Sequence, residues 1–342
     1  MKKTIRNIII GGILLLIIIT GISYYYFLKW PNITVPDDGI LLILPEDSFD
    51  SVMKKMENKG YIQNSFTLRT VAELKKYPSR VKTGRYRLQN GMNNNDLINL
   101  LRSGNQDVIQ FTFNNIRTLE DFAGTLSRQL YIDSTAFLTL ARDPEYVKKW
   151  GFTAENFIGM FIPNTYQIYW NTLIEDFIQR MNKEYRRFWT EERQQKAKKA
   201  GLSPMDVIIL ASIVEEETNE PEEYPLIAGV YINRLNKNWK LEACPTLKFA
   251  WGDFSLKRIL EKHMEINSPY NTYKNIGLPP GPVRMPSIQV IDAVLGYQRH
   301  DYFFFCAKSD FSGRHHFSHT LREHNRHAAE YHRVLDKKRI YE

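Results

Sequence analysis

An uncharged stretch separates Arg6 from Lys29, and most of its residues are isoleucine, leucine, glycine or tyrosine. A stretch of this length can cross a bilayer as one helix, so we predict a transmembrane helix over residues 7–28. Three basic residues lie within residues 1–6, and the positive-inside rule therefore predicts that 1–6 are a cytoplasmic tail. The chain from about residue 31 onwards is then periplasmic or extracytoplasmic. These features predict a single-pass protein of the inner (cytoplasmic) membrane.

A cleaved signal peptide is the competing interpretation of the same stretch. Gly21 and Ser23 are the plausible pair of small residues for cleavage, but no alanine occurs before Ala72 and no cysteine offers a lipidation site there. The apolar stretch is also longer than a usual signal-peptide core. Aromatic residues at its outer end, Tyr24–Tyr26 and Trp30, suit an interfacial belt. The sequence therefore favours an uncleaved anchor.

The net charge of +8 suggests a polyanion-binding protein until its distribution is considered. Four of the 46 basic residues lie in the first 30 positions, which contain no acid, so the outer part is nearly balanced against 38 acidic residues. It contains no basic stripe or arginine-rich arm, which argues against nucleic acid as a partner. With 43% apolar residues, it is large enough for a sizeable core and for two domains.

The chain has two cysteines, Cys244 and Cys306, both on the outer side of the predicted anchor. A disulfide is permitted in that compartment. Spacing alone does not establish one.

The first part of the outer chain reads as a small α+β module over residues 32–107. Ile40–Leu44 is a short apolar run, and Ser48–Lys59 has helical spacing. Gly84–Leu88 alternates like a strand, Asn90-Gly91 marks a turn, and leucine and isoleucine residues over 97–101 suit another helix.

A larger mixed α+β domain is predicted for residues 108–342. Val108–Phe113 reads as its first strand, and Tyr302–Ala307 as a late strand. Helices are predicted over Leu119–Leu130, Ser134–Arg142 and about 172–199, and a final amphipathic helix is predicted to extend to Ile340. The predicted fold class of the whole chain is α+β, with a single transmembrane helix at the N-terminus.

The helix Met205–Val214 has no polar face, which predicts a helix buried on nearly all sides. Ser203 suits the N-cap and Pro204 the first helical position. Three glutamates, Glu215–Glu217, follow directly. Burial and the negative end of the helix dipole both raise the pKa of a carboxyl group placed there. A general acid working near neutral pH needs such a pKa. The ordinary alternative is a solvated acidic patch at a fraying helix end.

Glu217 continues the apolar helical stripe of Leu210, Ile213 and Val214, so we predict apolar surroundings and a raised pKa for its carboxyl group. Glu215 lies two residues earlier and points to nearly the opposite side of the helix. We expect Glu215 to support the site or to bond to backbone.

Seven short motifs follow one another in the outer part of the chain. They are Ala211-Ser-Ile-Val-Glu-x-Glu-Thr218, Asn233-Arg-Leu235, Pro245-Thr246, Tyr270-Asn-Thr-Tyr273, Gly277-Leu-Pro-Pro-Gly281, His316-Phe317 and His324-Asn325. In order and spacing they resemble the MltG/YceG family of endolytic murein transglycosylases. Gly84-x-Tyr-x-Leu88, with Gly91-Met92 and Leu97-Ile98 after it, looks like that family's LysM-like N-terminal module.

This resemblance implies a membrane-anchored lytic transglycosylase that cuts the MurNAc-β-1,4-GlcNAc bond of nascent peptidoglycan strands. The products would carry 1,6-anhydroMurNAc ends, and no water would be consumed. In that family the acid/base is the glutamate immediately before the threonine, which here is Glu217. The resemblance implies no cofactor and no metal. It implies peptidoglycan glycan strands as partner and, through coupling to polymerisation, penicillin-binding proteins or other cell-wall synthases.

The same motifs supply the candidates for binding substrate or supporting the site. Amide and hydroxyl groups can bond sugar hydroxyls, and aromatic rings can stack on sugar faces. The candidates are Glu215, Thr218, Asn233, Arg234, Thr246, Tyr270, Asn271, Thr272, Tyr273, His316, His324 and Asn325.

The chain departs from the family pattern at two places. Glu242 and Cys244 stand where the pattern reads Leu-Gln-x-Asp-Pro-Thr, and Ile158-Gly159 with Pro163-Asn-Thr-Tyr166 stand where it reads Glu-Gly and Pro-Asp-Thr-Tyr. Two carboxylates are thereby lost from the expected cleft, so the reaction should depend more strongly on Glu217.

Two other functions compete with this one. Six of the eight histidines fall within 315–332, and the pairs His316/His319 and His324/His327 have a spacing that could hold zinc in a cell-wall amidase. No His-Glu-x-x-His pair accompanies them. A non-catalytic scaffold that binds peptidoglycan and docks synthases is the third possibility.

Overall fold

The computed structural model describes residues 2–256 and 259–337. Met1 of the predicted tail and the predicted helical residues after Lys337 lie outside the described residues. The chain divides into two compact units: residues 1–111 with 166–172 form unit 1, and residues 112–165 with 173–342 form unit 2.

Unit 1 begins with α1 (Lys2–Tyr24), which continues as a π-helical turn, Tyr25–Lys29. Its other elements are β1 (Ile40–Ile43), α2 (Phe49–Asn58), α3 (Ser65–Leu74), β2 (Gly84–Arg87) and α4 (Asn94–Ser103). Strands β1 and β2 pair antiparallel, with Leu41 opposite Tyr86. The apolar run at 40–44 and the alternating segment at 84–88 therefore form one small sheet.

One helical stretch among the described residues, Lys3–Lys29, is long and apolar enough to cross a membrane. It has 27 residues and a mean hydropathy of 2.3. This agrees with the predicted anchor in position and length.

The compact part of unit 1 has its own core, in which Tyr61, Tyr86 and Leu97 are fully buried. Side-chain caps begin its helices: Ser48 accepts a hydrogen bond from the Ser51 amide at the start of α2, and Asn93 caps α4. A cap satisfies backbone N–H groups that the first helical turn leaves free.

Strand β3 (Val108–Phe113) pairs with β4 (Asn164–Tyr169). The helices of unit 2 are α5 (Leu119–Gln129), α6 (Ser134–Arg142), α7 (Pro144–Lys148), α8 (Ile174–Phe188), α9 (Glu191–Lys199), α10 (Pro204–Glu217), α11 (Tyr224–Asn236), α12 (Cys244–Trp251), α13 (Glu261–Met264), α14 (Ile288–Leu295) and α15 (Leu321–Lys337). Short 3₁₀ turns occur at Phe157–Met160 and Pro221–Glu223. Strands β5 (Phe304–Ala307) and β6 (His315–Ser318) form an antiparallel hairpin.

Helix α10 lies in the centre of unit 2, as its uniformly apolar sequence predicts. All its side chains from Val207 to Val214 are buried, and it packs against α11, α12 and α14. Ser203 and Asp206 form a capping box at its start, with Pro204 in the first helical turn. A long buried helix of this kind gives the glutamates at its end a rigid support.

The predicted helical stretch over 172–199 is two helices, because α8 ends at Phe188 and Thr190 caps the start of α9. The helix and strand content as a whole is mixed, in agreement with the predicted α+β class.

Candidate active site

The three glutamates at the end of α10 have different partners. Arg117 donates two hydrogen bonds to Glu216, from Nε at 3.1 Å and from Nη2 at 3.0 Å. Arg284 donates a third from Nη1 at 2.7 Å. Glu215 accepts a hydrogen bond from the Ser287 amide at 3.0 Å, and the Nε of Arg284 lies within ion-pair distance of it at 3.4 Å. Glu215 and Glu216 therefore tie α10 to neighbouring segments, as expected for Glu215.

Glu217 has a different environment. Its Oε1 accepts a hydrogen bond of 2.6 Å from the phenol of the buried Tyr231 on α11. No lysine or arginine within the described residues pairs with it at ion-pair distance. Burial raises the pKa of the Glu217 carboxyl, and the Tyr231 hydrogen bond only partly offsets this. The predicted direction of the pKa shift is confirmed.

Cys244 and Tyr273 are close enough to Glu217 for its negative charge to raise the pKa of both groups. Their Sγ and Oη atoms are 3.3 Å apart. Burial raises the pKa of the Cys244 thiol to about 11, and the negative charge of Glu217 acts in the same direction. Burial also raises the pKa of Tyr273. At neutral pH both groups keep their protons, so they can donate hydrogen bonds but are poor nucleophiles.

The buried carboxyl group of Glu223 and the His315 imidazole form a second pair of polar side chains. Glu223 accepts hydrogen bonds from the His315 amide and from its Nδ1, each at 2.8 Å. A positive charge on His315 lowers the pKa of Glu217, which places the imidazole within electrostatic range of that carboxyl. Thr218, the C-cap of α10, lies 3.5 Å from Glu223 through Oγ1. Glu217 with Tyr231 and Glu223 with His315 are thus two hydrogen-bonded pairs, and the His315 charge acts on the Glu217 carboxyl.

Asn233 and Arg234 donate hydrogen bonds to the backbone of the loop that leads into β5. Asn233 Nδ2 donates to the carbonyls of His300 and Tyr302 at 2.8 and 2.9 Å. Arg234 is buried and donates from Nε to the Phe303 carbonyl at 2.7 Å, and from Nη1 to the Leu241 carbonyl at 2.8 Å. Their contacts fix loop backbone, so they shape the site indirectly.

The motif over 270–273 is held by hydrogen bonds to nearby loop carbonyls and to the start of α12. Asn271 is fully buried and donates to the carbonyls of Met264 and Ile266. Thr272 contacts Thr246 through the two hydroxyls at 2.9 Å. These bonds position the next residue, Tyr273, which contacts Cys244.

Tyr270 packs against the ring of Phe249 at 4.6 Å between centroids. A Cβ atom at Gly281 would lie 2.0 Å from the Glu155 carbonyl oxygen and 2.7 Å from Tyr270 Oη. This close approach explains the glycine in the Gly277–Gly281 motif.

Residues 41–330 match the family described as YceG-like. The chain belongs to the YceG-like family. Its relatives include the endolytic murein transglycosylase of Bacillus subtilis (strain 168), 31% identical over 72% of this chain and 72% of the relative. The endolytic murein transglycosylase of Streptococcus pneumoniae (serotype 2, strain D39) is 26% identical over 96% of this chain and 65% of the relative. The chain therefore spans just under two thirds of the pneumococcal protein.

A solved structure supports the same family. The 2.6 Å crystal structure of a yceG-like protein from Listeria monocytogenes is similar with a TM-score of 0.56 and 27% identity. The match covers 84% of this chain and 98% of the Listeria chain.

In this YceG-like chain two predicted residues of the C-terminal segment, His316 and His324, make ring contacts within that segment. His316 stacks on His327 of α15 at 4.3 Å between ring centroids. His324 stacks on Phe304 at 5.5 Å, and Asn325 is exposed on α15. The ring contacts of the two histidines are therefore with the hairpin and α15.

The histidine that pairs with Glu223, and whose charge acts on Glu217, is His315 and not the predicted His316. Successive residues of a strand point to opposite faces, so on β6 His315 and Phe317 share the face that packs on Phe305. The alternation of this short strand could have separated His315 from His316. Glu223 carried no such signal, because it lies in a 3₁₀ turn among exposed acids.

No group of three side chains that could hold a metal ion occurs within residues 2–256 and 259–337. His319 instead lies 3.0 Å from Asp301 through Nδ1. No observation on these residues favours the zinc amidase.

Glu217→Gln should raise the thermal stability of the protein at about pH 7.5. The folded state raises the pKa of this carboxyl above its ordinary value of 4.5, so folding binds the proton more tightly. The stability that Glu217 contributes is then fully present at low pH and is lost as pH rises through the folded pKa. The glutamine variant avoids that loss. Thermal unfolding of the full chain in detergent should show a higher midpoint for the variant at about pH 7.5 and nearly equal midpoints at about pH 4. Equal midpoints at both pH values would contradict the buried carboxyl.

Proposed function

We propose that this protein is a membrane-anchored endolytic peptidoglycan lytic transglycosylase in which Glu217 is the general acid and then the general base. The observation that carries the proposal is the partly buried Glu217 carboxyl, whose pKa is raised while its two neighbours are bound by arginines. The two curated relatives described above, both named endolytic murein transglycosylases, support the reaction class.

In the first step the protonated Glu217 gives its proton to the oxygen of the MurNAc-β-1,4-GlcNAc bond. The bond from MurNAc C1 to that oxygen breaks, GlcNAc leaves with a hydroxyl, and positive charge develops at C1. The Tyr231 phenol, 2.6 Å from Oε1, orients the carboxyl and stabilises the carboxylate that forms.

In the second step the MurNAc C6 hydroxyl attacks C1. The carboxylate of Glu217 removes the hydroxyl proton, which restores the acid and leaves a 1,6-anhydro ring. Water does not enter the products. A single carboxyl group is sufficient for both steps, because the proton that it gives to the leaving oxygen is replaced by the proton that it takes from the C6 hydroxyl.

Hydrolysis would require a second carboxylate to activate water or attack the sugar. The neighbouring carboxylates are engaged: Glu215 with Arg284 and a backbone amide, Glu216 with two arginines, and Glu223 with His315. This arrangement favours the lytic reaction.

The anchor and the first domain complete the proposal. We propose that residues 7–28 span the membrane with residues 1–6 in the cytoplasm, that 32–107 form a LysM-like module, and that 108–342 form the extracytoplasmic catalytic domain. A helix of suitable length and composition at the N-terminus supports the anchor. Cell-wall synthases, including penicillin-binding proteins, are proposed as partners on the basis of the family resemblance.

The experiment is mass spectrometry of peptidoglycan digested by the full-length protein in detergent. The expected products carry 1,6-anhydroMurNAc ends and are one water lighter than hydrolytic products. Reducing ends would overturn the lytic mechanism. Glycan binding without any cleavage would favour the scaffold, and release of stem peptides would favour the amidase.

A further inference from the structure

The outer face of α3 in unit 1 exposes large apolar side chains. Phe66 is 70% exposed and Leu74 is 75% exposed. They lie eight residues apart, with Thr70 between them, so all three share one side of the helix. The opposite side of α3, which includes Leu68, Val71 and Ala72, is buried in the core of unit 1. An apolar stripe of this kind on a solvated helix calls for a partner.

This stripe is attached to the end of the membrane-spanning helix. The π-helical turn Tyr25–Lys29 packs against both α3 and α4. Phe66 meets the ring of Phe27 at 6.0 Å between centroids, and Asn64 Nδ2 donates to Tyr26 Oη at 3.3 Å. The buried Asn94 donates from Nδ2 to the Phe27 carbonyl at 2.8 Å. The start of α3 therefore lies against the turn that ends the membrane-spanning helix.

Three cations lie at the other end of α3. Lys75 caps the helix and donates to the side-chain oxygens of Asn95 and Asn99, each at 2.6 Å. Arg102 donates to the Lys75 carbonyl at 3.1 Å, and Lys29 is close enough for its charge to act on Lys75. None of the three forms an ion pair with a side chain in the described part of the chain. Amide oxygens hold the Lys75 ammonium, and the Asp96 carboxylate is close enough for its charge to act on it without forming an ion pair.

We propose that this face of unit 1, made of Phe66, Thr70 and Leu74 with Lys29, Lys75 and Arg102, rests on the outer leaflet of the bilayer and binds anionic phospholipid headgroups. The inference rests on the proposed membrane anchorage and goes beyond it. Phe66 and Leu74 enter the interfacial region, and the cations contact lipid phosphates. Continuity with the membrane helix selects the bilayer as occupant, because Phe27 and Tyr26 already touch α3. The contact would fix the orientation of unit 1 relative to the membrane.

The test places an environment-sensitive fluorophore on single cysteines at positions 66 and 74 of the full-length protein, in a Cys244→Ser, Cys306→Ser background. Position 57, an exposed site on α2, carries the control label. In vesicles containing phosphatidylglycerol and lipids with a shallow nitroxide, emission at 66 and 74 should shift to shorter wavelength and be quenched severalfold more than at 57. Lys75→Gln with Arg102→Gln should remove the dependence of quenching at 74 on phosphatidylglycerol.

Flotation of the same vesicles separates the possible failures. Protein that floats but reports a watery environment at 66 and 74 would overturn the proposed face while leaving the anchor intact. Protein that does not float would overturn both the anchor and the face. Quenching that is equal with neutral and anionic lipid would overturn the headgroup preference. These experiments do not measure glycan cleavage, so their outcome does not affect the catalytic proposal.

Discussion

Glu217→Gln is expected to reduce the rate of glycan cleavage by about 10²–10⁴-fold, the usual contribution of a general acid or base. Glutamine keeps the size of the side chain and can still bond to Tyr231, but it has no proton to give to the leaving oxygen. The measurement is the rate of release of 1,6-anhydro products from glycan strands by the full-length protein in detergent.

Glu222→Gln is the matched control. Glu222 lies five residues later, is 76% exposed and pairs with Arg314 at 2.9 Å. An exposed pair of this kind contributes little, so cleavage should continue at nearly the wild-type rate. A Glu217→Gln variant that cleaves as fast as this control would exclude Glu217 as the acid and direct attention to Glu223.

The pH dependence of the reaction follows from the same carboxyl. In the proposed mechanism Glu217 is protonated in the first step, so we expect activity to fall as pH rises above its pKa in the bound state. Burial raises that pKa from 4.5, which extends activity toward neutral pH. This expected pH dependence rests on the burial of the Glu217 carboxyl at the end of the apolar helix α10.

The environment of Glu217 could be predicted from sequence because it is a local property. Glu217 follows Leu210, Ile213 and Val214 on one helical stripe, and a helix that is apolar on all sides is buried. The partners of Glu215 and Glu216 could not be predicted in this way. Arg117 lies 99 residues before Glu216, and Arg284 lies 68 residues after it. Only the tertiary fold brings these charges together.

The C-terminal segment shows a second limit of prediction from the sequence. A shift of one residue moves a side chain to the other face of a strand, and the motif His315–Phe317 leaves two histidines to choose between. The structure directs His315 to Glu223 and His316 to His327. Helix α3 shows a third limit: its exposed Phe66 and Leu74 blur the helical pattern, and no helix was predicted there.

Arg284→Met is expected to lower the free energy of unfolding of unit 2 by about 3–5 kcal/mol, the usual cost of removing one partner from a buried charge cluster. The side chains of Arg284, Glu215 and Glu216 are only 12%, 14% and 13% exposed. Methionine fills most of the space but leaves Glu215 without a cation and Glu216 with Arg117 alone. Chemical denaturation of the full-length protein in detergent measures the change.

Arg193→Met is the control, because it also removes an arginine–carboxylate pair but at a more exposed position. Arg193 makes two bonds to Asp292 on α14, at 2.9 and 3.0 Å, but the two side chains are 26% and 47% exposed. Its loss should cost at most about 1 kcal/mol. Equal losses in the two variants would show that Arg284 acts through packing. The glutamates beside Glu217 would then not depend on Arg284 for their charge balance.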